Sequence, residues 1–120
     1  MLFRSVCAVI LSENKQVGID IEVADRDVSS IAHKFISEEE KMSRMLSQQE
    51  MLLLWCAKES LFKLYAKGGV DFRRDLFVEL KKFSDSGILK THIRKNDFDT
   101  KADVHYLLLK NKFLLCWAIL

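Results

Sequence analysis

Four charged side chains in two short stretches carry the chemistry this sequence offers. In "VGIDIE" (residues 17–22), Val17, Ile19 and Ile21 alternate with Gly18, Asp20 and Glu22. Period-two alternation is a strand pattern, and it sets both acids on one face. Like charges so placed repel each other and resist burial, so a strand that carries them needs something between them. In "WCAKESLFK" (55–63), Trp55, Glu59 and Lys63 recur every four residues and share one helix face. Each feature alone has a plain reading: Trp55 as core, Glu59 and Lys63 as a solvated ion pair, Asp20 and Glu22 as a solvent-facing strand edge. Taken together they suggest more. Three carboxylates suit a hard divalent ion such as Mg²⁺, which takes oxygen ligands and keeps positions open for water and phosphate oxygens. A lysine one turn beyond the third acid can hold a phosphate as a point charge. This is the layout of phosphoryl-type transfer, where catalysis is mostly positioning and charge neutralisation.

The elements that must position these residues follow from the same pattern reading. "SVCAVIL" (5–11) is expected as a buried strand, "SENKQ" as a polar turn, and "VGIDIE" as its hairpin partner. "VSSIAHKF" suggests a short helix. Ser37 with Glu40, and Ser47 with Glu50, have the spacing of capping boxes. The second opens a long helix, residues 48–67, with Gly68 and Gly69 as its stop. Strands are expected at "LFVELKKF" (76–83), "GILKTHIRK" (87–95), "VHYLLLK" (104–110) and "FLLCWAIL" (113–120), with Asn111 and Lys112 turning between the last two. Helices grouped between strands predict an α+β fold: an antiparallel sheet with a long central helix packed on it, in a single domain over 1–120.

Bulk properties narrow the function classes. The 120 residues are 49% hydrophobic with a formal net charge of +2, which favours neither a nucleic-acid nor a membrane surface. No apolar run approaches the length of a membrane span. Cys7, Cys56 and Cys116 lie far apart in apolar runs and are expected as buried free thiols in a cytoplasmic protein. Acids crowd the front of the chain, and bases gather from Lys58 to Lys95.

"VGIDIE" followed by "WCAKESLFK" resembles the signature of the 4′-phosphopantetheinyl transferases. That pattern is Gly-hydrophobic-Asp, a gap, then Trp or Phe, two residues, Lys-Glu, and a Lys four beyond the Glu. Gly18, Ile19 and Asp20 match the first part; Trp55, Lys58, Glu59 and Lys63 match the second. "KFISEEE" and "AKGGV" resemble the family's intervening helix start and the turn after its long helix. The Asp-Ile-Glu form is similar to the C-terminal half of the two-half, surfactin-synthetase-activating type. The resemblance implies transfer of 4′-phosphopantetheine from coenzyme A to a serine of an acyl or peptidyl carrier protein, as in fatty-acid biosynthesis, with 3′,5′-ADP as the other product. It further implies Mg²⁺ on Asp20, Glu22 and Glu59, phosphate contacts from Lys63 and Lys58, and Glu59 as the base that takes the serine proton. The bases from Lys58 onward then offer a surface to an acidic carrier protein.

The chain also departs from that pattern. It matches one half of the longer enzymes, and their Ser-His-Ser segment and first-half basic cluster do not fall within these 120 residues. His33, His92 and His105 are not in the matching place. Self-association as a dimer or trimer is expected to supply the missing wall. The alternative is a non-catalytic half-domain, or a truncated fragment of a longer protein, that binds a carrier protein or dimerises without turnover. A metal-dependent nuclease is disfavoured, because Glu59 and Lys63 have helix spacing rather than the two-residue spacing of a strand-borne site.

Overall fold

The computed structural model describes residues 6–41 and 45–120. Its elements are β1 (Val17–Val23), a 3₁₀ turn (Ser29–Ile31), α1 (Ala32–Phe35), α2 (Glu38–Lys41), α3 (Gln48–Tyr65), β2 (Leu76–Glu79), β3 (Ser86–Lys95), β4 (Phe98–Leu109) and β5 (Phe113–Ile119). The five strands form one antiparallel sheet in the order β1-β5-β4-β3-β2. Helix α3 packs on one face, mainly against β1 and β5. The α+β expectation is therefore met, and β1 stands at a sheet edge.

Both capping boxes form. The Ser47 hydroxyl accepts from the Glu50 amide (3.1 Å) and the Glu50 carboxylate accepts from the Ser47 amide (3.0 Å). Ser37 and Glu40 do the same at 3.2 and 2.9 Å. From its cap, α3 buries Leu52, Leu53, Leu61 and Leu64 against Leu114, Cys116 and Ala118 of β5 and Val104 of β4. The helix ends at Tyr65, earlier than its sequence pattern suggests. Ala66 itself takes the left-handed conformation (φ 61°) and its N–H bonds Phe62 O, while the two glycines continue the turn.

Several boundaries differ from expectation for identifiable reasons. Residues 6–11 form no strand, and Val9 and Leu11 are exposed; Ser5 lies outside the described residues. Strand β1 makes its ladder with β5, from Val17↔Ile119 to Val23↔Phe113, and none with residues 6–11. Cys7 is accordingly exposed, against its expected burial, while Cys56 and Cys116 are buried free thiols. Strand β4 already starts at Phe98, where exposed Asp99 and Lys101 alternate with half-buried Phe98 and Thr100 and lead into buried Ala102 and Val104. The β4–β5 connection is the three residues 110–112 between the paired Leu109 and Phe113; Lys110 and Asn111 have positive φ, and the Lys112 N–H bonds Leu109 O. Among the described residues no helix is long and apolar enough to cross a membrane.

Candidate active site

Gly18 sets the spacing of the site. A Cβ at this position would lie 2.0 Å from Ser60 O and 2.5 Å from Leu64 N, so the α3 backbone rests directly on β1. Only glycine permits that approach. Two residues along, Asp20 points to the same face and is 8% exposed. Its Oδ1 accepts a hydrogen bond from Lys63 Nζ at 2.9 Å, while its Oδ2 is buried with no partner among the described residues.

Glu22 follows at the open border of the sheet. Burial and the adjoining Asp20 carboxylate outweigh its contact with Arg26 and push the Glu22 carboxyl up to about 7. The Arg26 guanidinium lies over the Trp55 ring at 5.5 Å. Trp55 packs edge-on against Phe35 (5.2 Å) and tilted against Phe72 (5.7 Å), and its indole N–H has no partner among the described residues. Glu59, one turn beyond Trp55, is half-buried. Burial raises its pKa, with Lys63 opposing and the Glu22 charge adding to the rise. Burial works against the Lys63 ammonium, but its bond to Asp20 and the charges of Asp20 and Glu59 outweigh that and raise its pKa. The helix lysine thus reaches across to the strand acid rather than closing a local pair with Glu59.

A description of the 4′-phosphopantetheinyl transferase superfamily matches residues 16–118. The chain belongs to this superfamily. Its members transfer the phosphopantetheine group of coenzyme A to carrier proteins. A search of curated proteins found no match.

Against the superfamily pattern, the structure brings together Asp20, Glu22, Lys63 and Glu59 on one wall, made by β1 and α3. Among the described residues, no three His, Cys, Asp or Glu side chains stand in metal-holding geometry as they are placed here. The expectation for Lys58 is corrected outright. Its side chain is 0% exposed, and its Nζ donates to Glu40 Oε1 (2.6 Å), Phe35 O (2.6 Å) and Phe72 O (2.8 Å). An ammonium has three protons to give. All three are used, which leaves none for a phosphate.

Sequence reasoning missed Arg26 and Glu40. Neither was signalled: a four-residue step joins side chains on a helix, whereas Glu22 lies on a strand, and the capping spacing of Glu40 suits an exposed helix start equally well. The basic stretch is also less cationic than it reads, because Arg73 pairs with Glu38, Lys90 with Asp103 and Lys95 with Asp75. A cavity of about 750 Å³ lies around Arg73, Arg94 and Lys101, and Asp20, Glu22 and Glu59 do not line it.

Proposed function

We propose that this wall transfers 4′-phosphopantetheine from coenzyme A to a serine of an acyl or peptidyl carrier protein, with Mg²⁺ held by Asp20, Glu22 and Glu59. The observation that carries the reading is the buried Asp20, whose Oδ2 has no hydrogen-bond partner among the described residues, beside a Glu22 carboxyl that burial and Asp20 push up to about 7. Two adjoining buried acids whose charges oppose each other are a place where a cation is favourable. A bound Mg²⁺ would neutralise the coenzyme A pyrophosphate and the departing 3′,5′-ADP.

The residues of the chain do the rest. Lys63, half-exposed and now on Asp20, offers its ammonium to a phosphate oxygen. Glu59 accepts the proton of the attacking serine hydroxyl, and burial that raises its pKa makes it a stronger base. The serine oxygen forms the new bond to phosphorus as the pyrophosphate bridge breaks. In this reading the 120 residues are one half-type domain, and a second copy supplies the opposite wall. The apolar outer sheet face supports self-association: Ile19 pairs with Trp117 and Ile21 with Leu115, all only half-buried, and Ile88 is exposed. Free thiols at Cys7, Cys56 and Cys116 suit a cytoplasmic setting.

The test is intact-protein mass spectrometry of an apo carrier protein incubated with coenzyme A, Mg²⁺ and the chain. A phosphopantetheine-sized mass gain that disappears with Glu59→Gln is the expected result. No gain across several carriers would instead favour a carrier-binding or dimerising half-domain without turnover.

A further inference from the structure

We propose that Lys58 and Glu40 form a buried pin that positions Trp55, and through it Arg26 and Glu22, so that Lys58 is a positioning residue of this site and not a phosphate contact. The kinetic part of this inference rests on the transferase reading; the geometric part does not.

The donor and acceptor balance comes first. Both side chains are 0% exposed. Lys58 gives its three protons to Glu40, Phe35 O and Phe72 O. Glu40 Oε1 also accepts from the Ser37 amide (2.9 Å), and Oε2 accepts from the Val78 amide (2.8 Å). Lys58 has no proton left for a ligand, and both Glu40 oxygens are engaged within the core. Together they tie α3 to the end of α1, the start of α2, the loop at Phe72 and the edge strand β2.

What the pin holds makes the functional point. The two carbonyls bound by Lys58 belong to Phe35 and Phe72, whose rings flank Trp55. Phe62 packs against Phe72 from the same helix at 5.5 Å. Arg26 lies over Trp55 and bonds Glu22. A shift of either carbonyl is therefore passed through a ring stack to a candidate acid. A buried ion pair is a weak device for stability, because desolvation consumes most of its attraction. It is a strong device for direction: each bond fixes one backbone group at one angle, which apolar packing does not do.

Two variants and a footprint test the pin. Glu40→Gln removes the charge, and Glu40→Asp keeps it while shortening the reach. Each is read by kinetics and, in a Trp117→Phe background, by Trp55 emission. We expect a red-shifted Trp55 emission and kcat lowered roughly 10- to 100-fold, the usual range for groups that orient ligating residues. KM for coenzyme A should stay within about twofold, since no substrate contact is lost. Unchanged emission and kcat in a folded variant would overturn the positioning role.

Amine labelling of the unaltered protein decides the rival without any variant. Lys58 should resist labelling with or without coenzyme A and Mg²⁺, whereas Lys63 becomes protected only when they are added. A Lys58 that labels freely and is then shielded by coenzyme A sinks the proposal. If the unaltered chain transfers nothing, the proposed function fails, while emission and labelling still judge the pin.

Discussion

Helix α3 carries two lysine–carboxylate sites, five residues apart and turned to different sides, and they have opposite characters. At Lys58 every polar atom is matched: three protons meet three acceptors, and both Glu40 oxygens have partners. At Lys63 the matching fails. One oxygen of Asp20 is paired and the other has no partner among the described residues, while burial and Asp20 push the Glu22 carboxyl up to about 7. A polar group that is buried and satisfied is structure. One that is buried and left short keeps a free-energy deficit that a ligand can relieve. That difference separates two lysines which a motif treats alike.

The sharpest way to break this comparison is to remove each lysine in turn. Lys58→Met leaves Glu40 charged and buried, and should destabilise the fold by about 3–5 kcal/mol. Lys63→Met should cost at most about 1 kcal/mol, because its head is half-exposed and water can take its place on Asp20. Its effect should fall on transfer instead. Chemical denaturation of both variants checks the contrast, and equal costs would erase it.

Gly18→Ala comes next. The added methyl would run into helix backbone, which cannot rotate away as a side chain can. A cost of about 1–3 kcal/mol is expected from overpacking. Transfer should drop further than stability alone explains, as α3 moves off the strand that carries Asp20 and Glu22. Wild-type activity in this variant would show that the close approach does not set the site.

The smallest effect is on pH dependence. In the fold Glu22 keeps its proton up to about pH 7, whereas its ordinary value is 4.5. The folded state therefore binds more protons across that window, and metal-free stability should fall as pH rises through it. Thermal melts should show Mg²⁺ restoring more stability at about pH 8 than at about pH 5, since bound metal replaces the lost proton. Glu22→Gln should flatten the slope. A melting temperature that rises across the window would mean the acids are not short of a cation.

Much of this was legible before any coordinates. Asp20 and Glu22 share a face because strands have period two, and Glu59 and Lys63 share one because helices return every four residues. Ser47–Glu50 and Ser37–Glu40 declared their helix starts through local capping chemistry, which needs only three residues of chain. The failures occurred where the answer depended on distant chain. "SVCAVIL" has strand composition, but the partner of β1 turned out to be β5, nearly a hundred residues away. Lys58 and Glu59 are adjacent in a motif, yet one is sealed in the core and the other borders the open wall.

What the sequence determined by itself is the set of local periodicities and the pairing of two motifs, because both follow from backbone geometry over a few residues. The tertiary structure alone decided which lysine is sealed in the core and which stands at the open wall. That depends on the carbonyls of Phe35 and Phe72 and the carboxylate of Glu40 converging on one ammonium, and no local rule of spacing brings three separate segments of chain to a single point.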